Sequence, residues 1–320
     1  MRPRRCVLSC VCATVFLSAA AYPLPAQEHS VRPLEIIVPW GQSGGADRVA
    51  RKIAKLIEPR LGPVRVTNVP GASGQKGLVY LKAAPADGRT LAILTGDTFG
   101  VLATRQTDVR LDNLVPVAIL MRQPSAFLVS ENGRFKSWND VVAAAKAANV
   151  RVAIAGPSQV DELTVNYFVR QGLRLVSVPF AKPGERHRAI LGGYADVLYE
   201  QVGDVRTFVD NMQIRPVLLF SRERDPRLKD VPASGELGFD VALPQFRALV
   251  VRAETDPHAI AKLRTVVADA IKAPDYATFL EEQYANAEVI LTSEAADAFL
   301  RDELARLRTL AAAQDAMVGR

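Results

Sequence analysis

Cysteine is missing from this 320-residue chain beyond its first twelve residues, since the three cysteines are Cys6, Cys10 and Cys12. The rest of the chain therefore lacks thiol nucleophiles, disulfides and cysteine metal ligands. Long apolar runs are also missing after the N-terminus, where no stretch approaches the roughly 18 apolar residues that a membrane-spanning helix needs. Repeats, low-complexity tracts and Pro/Ser-rich linkers are absent as well. These absences favour an ordinary globular protein.

The N-terminus has the pattern of an export signal. Three arginines within Met1–Arg5 precede an apolar run from Cys6 to Ala21, and Tyr22–Gln27 supplies small and turn-forming residues. A basic region, an apolar region and a small-residue exit follow one another in cleaved secretory signals. We predict that residues 1–26 are a signal peptide, cut after Ala21 or Ala26, and that the mature protein is periplasmic.

The predicted mature chain has only a small excess of positive charge. The formal charge of the whole sequence is +6, and the segment 1–26 contributes three arginines and no acid, which leaves +3. The basic residues are scattered among acids, without the basic stripe and stacking aromatics that nucleic-acid binding requires. We therefore expect no nucleic-acid partner, and the mild positive charge suits an anionic ligand.

The chain is long enough for two domains. About 290 mature residues exceed the usual size of a single core. Strands alternating with helices predict βαβ units and a largely parallel sheet. Such a unit begins at Leu34–Pro39 and restarts at Arg151–Ala155, whereas only helices are predicted after Val251.

The second set of units is predicted to lie inside the first, with crossings near residues 121–127 and 244–250. The predicted domains are residues 30–124 with 246–320, and residues 125–245. Two crossing strands would form a hinge, and a ligand cleft is expected between the domains at the carboxyl ends of the strands.

A glycine-rich loop follows the first predicted strand. It consists of Trp40, Gly41, Gln42, Ser43, Gly44 and Gly45, with Asp47 at the start of the next helix. Glycines allow close backbone approach, and several N–H groups beside a helix N-terminus favour an anion. The alternative is a simple strand-to-helix turn in which Asp47 caps its own helix.

The same loop satisfies the Gly-x-Ser-x-Gly pattern of serine hydrolases, with Ser43 as the candidate nucleophile of a secreted enzyme. A nucleophile elbow normally follows several strands, whereas Ser43 follows the first. Only His187 and His258 are available as a general base in the folded part, and both lie in surface-type surroundings. We therefore favour a binding loop without catalytic residues, and no cofactor is expected.

Two further strand-to-helix junctions also contain glycine and serine residues that suit an anion. Gly71, Ala72, Ser73 and Gly74 follow the second strand, and Gly156, Pro157 and Ser158 follow the strand that restarts the pattern. One carboxylate can accept hydrogen bonds from two such loops on adjacent strands. Asp161 and Glu162 favour their own helix N-terminus, although a nearby ligand amine or hydroxyl is the alternative.

Ordered motifs along the chain resemble the substrate-binding receptors of tripartite tricarboxylate transporters, the Bug or TctC-like family. The resemblance rests on several segments taken together. They are Ile37–Trp40, Gly44–Arg51, Asn68–Gly74, Ala83–Gly88, Val178–Phe180 with Lys182, Leu191–Asp196, Arg227–Pro232 and Glu236–Phe239.

This resemblance implies a two-domain α/β fold of the type II periplasmic-binding-protein (Venus-flytrap) class with two crossing hinge strands. It also implies capture of a small carboxylated metabolite, without chemistry, by a protein expected to be a monomer. Membrane permease subunits or a sensor protein are the implied partners. The implied ligand-binding residues of the second domain are Gly156, Pro157, Ser158, Phe180, Ala181, Lys182 and Glu200. Departures such as Phe180–Gly184 and Gln245-Phe246 fall where the ligand is chosen.

Overall fold

A computed structural model describes residues 32–180, 182–243, 245–285 and 291–318, the last five of them by backbone alone. Eleven strands are found in these ranges: β1 Leu34–Val38, β2 Val64–Asn68, β3 Thr90–Thr95, β4 Leu114–Gln123, β5 Ser125–Ser130, β6 Val150–Ile154, β7 Leu175–Pro179, β8 Val197–Gln201, β9 Ile214–Leu219, β10 Gln245–Arg252 and β11 Leu291–Thr292.

Ten α-helices alternate with the strands in the described ranges: α1 Gly45–Leu61, α2 Gln75–Ala83, α3 Gly96–Thr104, α4 Trp138–Ala147, α5 Val160–Arg170, α6 Pro183–Leu191, α7 Arg206–Asp210, α8 Pro257–Ala270, α9 Pro274–Glu282 and α10 Ser293–Val318. Short 3₁₀ turns precede α2 at Ala72–Gly74 and α7 at Val202–Val205. Among the described residues, no helix is both long and apolar enough to cross a membrane.

The strands form two sheets, ordered β11-β4-β10-β3-β1-β2 and β7-β6-β8-β5-β9. We call the parts built on them the first and the second lobe. β4 leads directly into β5, and the chain returns to the first sheet as β10. Two strands therefore connect the lobes, as the sequence predicts. We propose that the domain boundaries lie at these two passages.

Helices cover both faces of each sheet because successive strand residues point to opposite sides. In β1, Ile36 and Val38 pack in the core that faces α1 and α8, while Ile37 packs in the core on the opposite face. In the second lobe, the Phe127 ring contacts the Phe220 ring edge to face, with centroids 4.8 Å apart. These apolar cores fix where the strands end, and the loops at those ends form the candidate site.

Two details of the predicted fold are wrong. The sheets are mixed, since β1 pairs in parallel with β2 and β3 while β10 runs antiparallel to β3 and β4. The strands that pass between lobes return in the opposite direction, which forces antiparallel pairing. The short strand β11 also follows Val251, where only helices are predicted, because Leu291 and Thr292 pair with β4.

Candidate functional site

The loop between β1 and α1 is held from inside by Asp47. The carboxylate of Asp47 accepts hydrogen bonds from Ser43 N at 3.0 Å, from Arg51 Nε at 2.9 Å and from Asn68 Nδ2 at 3.0 Å. Burial would raise the pKa of Asp47, but these hydrogen bonds lower it overall. Asp47 therefore shapes the loop and has little capacity left for a ligand.

The loop's other residues differ in exposure. Gly41, Gln42 and Ser43 are exposed, and the Trp40 indole Nε1 donates to Thr95 Oγ1 at 3.0 Å. The Ser43 carbonyl accepts from Arg48 Nη1 at 3.1 Å. The tip of the loop is thus exposed to solvent, while hydrogen bonds of Trp40 and Ser43 anchor its two ends.

The loop between β2 and α2 approaches α3 closely. Gly74 has a φ of +89°, and a Cβ atom built on it would lie 2.2 Å from Thr98 Oγ1. Only glycine satisfies both the left-handed backbone and this close approach. Gly74 thus joins the second loop to the start of α3.

Replacing Gly74 by Ala is expected to lower the free energy of unfolding by about 1–3 kcal/mol more than replacing Gly172 by Ala does. Gly172 has a similar φ of +85°, but no atom lies within 4 Å of a Cβ built there. The comparison separates backbone strain from the contact with Thr98. Urea unfolding of both variants measures the two losses of unfolding free energy. Equal losses would show that the close approach to Thr98 has no cost.

The loop between β6 and α5 brings the second lobe against the first. Gln159 Nε2 donates to Ser73 Oγ at 3.0 Å, and Arg105 Nε donates to Ser158 Oγ at 2.7 Å. Ser158 N also donates to Glu162 Oε2 at 2.7 Å, so Glu162 holds this loop as Asp47 holds the first. The lobes are closed on each other at these loops.

All three loops contain non-glycine residues with left-handed backbone: Ser43 (φ 64°), Ala72 (φ 49°), Ser73 (φ 52°) and Ser158 (φ 63°). Such residues cost free energy and concentrate at functional sites. Left-handed turns also direct successive N–H groups to one side, which creates anion-binding concavities. This recurrence marks the three loops as the candidate site.

A fourth junction, between β3 and α3, also reaches this region. Thr95 caps α3 by accepting from Thr98 N at 3.2 Å. Asp97, in the first turn of α3, accepts from Gln245 Nε2 of β10 at 2.6 Å. Burial raises the pKa of Asp97 to about 6, although the positive charge of Arg247 opposes the rise.

Asp204 links the lobes through a cluster of hydrogen bonds. Its Oδ1 accepts from Arg48 Nη2 of α1 at 2.9 Å, and its Oδ2 accepts from Arg247 Nη2 of β10 at 3.1 Å. A Cβ atom built on Gly45 would lie 2.3 Å from Asp204 Oδ1. The second-lobe carboxylate therefore lies directly against the N-terminus of α1.

Glu200 and Arg186 form a buried ion pair in the second lobe. Arg186 Nη2 donates to Glu200 Oε2 at 2.6 Å, and the residues are 6% and 4% exposed. Burial alone would raise the pKa of Glu200, but the charge of Arg186 and its hydrogen bonds to the carboxylate hold it at about 2. Glu200 is thus ionised, and its carboxylate is already paired with Arg186.

The matching family model is that of the tripartite tricarboxylate transporter family receptor, TctC, which covers residues 49–315. The chain belongs to this family. The resemblance predicted from the sequence motifs is thereby confirmed. The family consists of solute-binding receptors, which fits a cleft between two lobes closed by crossing strands.

Individual relatives agree with this TctC membership. BugT of Bordetella pertussis is 28% identical over 304 residues, which cover 91% of this chain and 93% of BugT. The structure of MatC from Rhodopseudomonas palustris with bound malate has a TM-score of 0.78 at 24% identity, covering 88% of this chain and 99% of MatC. The structure of R. palustris Rpa4515 with adipate has a TM-score of 0.80 at 20% identity, covering 90% and 99%. The predicted periplasmic-binding-protein fold is confirmed.

The second-lobe residues predicted for this TctC receptor are not all brought together. Lys182 is exposed and pairs with Glu185 at 3.6 Å. Phe180 packs against the apolar core beside α6, and its carbonyl accepts from Arg186 Nη1 at 3.0 Å. Ala181 lies outside the described residues. Of this set, Ser158 contacts the first lobe, where its Oγ accepts from Arg105 Nε and its carbonyl accepts from Thr104 Oγ1.

The alternative of a Ser43 hydrolase finds no supporting contact. His187 packs against the Phe208 ring, with centroids 5.0 Å apart, and lies 3.8 Å from Glu200. His258 stands at the start of α8, where its N–H donates to Asp256 at 2.9 Å. In the described ranges, neither histidine hydrogen-bonds to Ser43.

Sequence reasoning missed Asp97, Arg186, Asp204 and Arg247. For Asp97 a signal exists, because Thr95-Gly96-Asp97 follows a strand as the other three loops do. Gly96, Gly100 and two threonines give α3 low helix propensity, which hides the junction. The ion pairs join residues distant in sequence, and no local pattern indicates them.

A cavity of about 710 Å³ opens elsewhere, between α9, the segment Phe220–Arg227 and the end of β4. None of the loop residues predicted for ligand binding lines it. Its Arg227 is already engaged, since Nη2 donates to Asp225 Oδ2 at 2.7 Å. We therefore retain the loops between the lobes as the candidate site.

Proposed function

We propose that this protein is a periplasmic solute-binding protein that captures a small mono- or dicarboxylate between its lobes. Four strand-to-helix junctions meet there, from β1, β2, β3 and β6. The single observation that carries the proposal is the recurrence of left-handed serine and alanine residues in three of these loops. Backbone N–H groups in such turns suit a carboxylate.

Contacts between the loops indicate how a ligand is enclosed. The pairs Gln159–Ser73 and Arg105–Ser158 join the lobes in the closed arrangement. Entry of a ligand then requires hinge opening at the two connecting strands, followed by closure around the carboxylate. Bound malate in MatC and adipate in Rpa4515 support carboxylates as the ligand class.

Binding of one carboxylate should raise the melting temperature, because a ligand selective for the folded state stabilises it by mass action. A panel of mono- and dicarboxylates, screened by thermal shift and confirmed by calorimetry, checks this. A free ligand concentration of 100 times the dissociation constant corresponds to about 2.7 kcal/mol. Trp40 fluorescence provides a second readout, since this indole lies at the first loop.

The matched control is a panel of the same compounds as methyl esters, which retain size and lose the charge. Shifts with the acids but not with the esters support the proposal. Equal shifts with acids and esters, or none with any acid, would overturn it. Uptake into vesicles that contain tripartite tricarboxylate membrane subunits then distinguishes delivery to a permease from sensing.

A further inference from the structure

Two buried glutamine side chains near the start of α3 have an amide oxygen without a hydrogen-bond partner among the described residues. Gln245 is fully buried and uses its Nε2 to donate to Asp97, while its Oε1 has no hydrogen-bond partner among the described residues. Gln159 is 2% exposed, and its Oε1 likewise lacks a partner in that part of the chain. Unmet buried acceptors are costly and call for an incoming donor.

These acceptors share one side of the lobe contact. Gly100 lies one turn after Asp97 on α3, and a Cβ atom built on it would be 3.4 Å from Gln159 Cα. Residues three apart on a helix lie on the same face. Gln159 therefore packs against the face of α3 that carries Asp97.

Two acids at this place lack a partner of opposite charge among the described residues. Arg48 and Arg247 share Asp204, and Arg186 pairs with Glu200. Asp97 and Asp161 form no ion pair within the described ranges. Asp161 is 1% exposed and accepts from Glu162 N at 2.8 Å and from Ala155 N. Burial and the nearby charge of Asp97 raise the pKa of Asp161 to about 8.

A donor for an anionic group stands beside these acceptors. Arg247 is 3% exposed, and its Nε has no acceptor in the described part of the chain. Gln245 and Arg247 are two residues apart on β10, so their side chains lie on the same face of the strand. The face thus offers an unmet acceptor and an unmet donor together.

We propose that the ligand is an amino-substituted carboxylate, whose ammonium group is bound by Asp97 and Gln245. An ammonium group supplies three donors and a positive charge, which matches the unmet acceptors and the acids Asp97 and Asp161. Asp97 is then the residue that determines specificity for amino acids over simple dicarboxylates. This inference rests on the proposed function, because it assigns the second group of the same ligand.

Matched pairs of compounds test the inference by calorimetry: L-glutamate and glutarate, L-aspartate and succinate, 5-aminovalerate and valerate. The best amino compound is expected to bind at least about tenfold more tightly than its amine-free partner, as for a hydrogen bond to a charged group. Asp97→Asn should remove that preference and leave the amine-free compound within about threefold.

Gln245→Met is the second variant, and it should reduce binding of the amino compound in the same direction. Asp302→Asn is the matched control, because Asp302 is an exposed acid on α10. Circular dichroism confirms that each variant is folded. Tighter binding of glutarate, succinate or valerate, or equal losses for both members of a pair in Asp97→Asn, overturns the inference and leaves the proposed function intact. Absence of binding by every acid overturns both.

Discussion

Replacing Glu200 by Gln is expected to lower the free energy of unfolding by about 3–5 kcal/mol, because it leaves a buried arginine without its charged partner. Arg186 is 6% exposed, and two of its nitrogens donate to Glu200 Oε2, Nε at 3.2 Å and Nη2 at 2.6 Å. Denaturant unfolding at neutral pH measures the loss.

The pH dependence of this loss provides an internal check. The pKa of Glu200 is lowered to about 2 in the folded protein from an ordinary value of 4.5. A lowered carboxyl pKa adds stability that is fully present above the unfolded value and disappears as the pH falls through the folded value. The difference between parent and Glu200→Gln should therefore be constant above pH 4.5 and shrink towards pH 2.

The matched control is Asp210→Asn, which breaks the exposed Arg206–Asp210 pair with side chains 42% and 50% accessible. That change is expected to cost no more than about 1 kcal/mol, since solvent screens surface pairs. Replacing both Arg186 and Glu200 by apolar residues should recover part of the loss. A Glu200→Gln variant as stable as the parent would show that the pair does not stabilise the second lobe.

Replacing Gly45 by Ala is expected to weaken ligand binding by roughly 10–100-fold, the equivalent of one lost hydrogen bond to a charged group. The new Cβ would lie 2.3 Å from Asp204 Oδ1 and 2.4 Å from Oδ2. Asp204 must then move away from Arg247. Arg247 is buried, so its positive charge would be left without the carboxylate that balances it. The closed arrangement loses stability relative to an open one.

Calorimetry with the best ligand measures the affinity, and small-angle scattering measures the radius of gyration. Gly41→Ala is the control in the same loop, since no atom lies within 4 Å of a Cβ built on Gly41. Asp204→Ser should weaken binding by itself, and adding Gly45→Ala should then cause little further loss, because neighbouring residues are not additive. An unchanged affinity and radius in Gly45→Ala would contradict the role of this contact.

Local chemistry explains which parts of the fold are predictable. The β1 to α1 unit has a β-branched strand, an acidic first turn at Asp47 and Gly62 after the helix, so each boundary has a signal. The start of helix α4 is equally predictable, because Ser137 and Asp140 form a capping box there. In α3, Gly96 and Gly100 lie so close to Gln245 and Gln159 that a Cβ atom would meet them, and such tertiary contacts leave no local pattern.

The candidate site divides in the same way. The loops at Ser43, Ser73 and Ser158 are predictable because glycine and serine follow strands. Their partners are not, since Arg105 reaches Ser158 over 53 positions and Arg48 reaches Asp204 over 156. Such pairs depend on how the lobes close. Prediction of Lys182 as a ligand residue depends on family motifs, whereas its side chain extends into solvent.

The contact of Asp204 with the start of α1 has a kinetic consequence. Its bonds to Arg48 and Arg247 supply part of the attraction that a ligand would otherwise provide for closing the cleft. A protein that closes by itself spends part of its time inaccessible, so a ligand must wait for the lobes to open before it can bind. At high ligand concentration the association rate then reaches a ceiling, which is the rate at which Asp204 releases the two arginines.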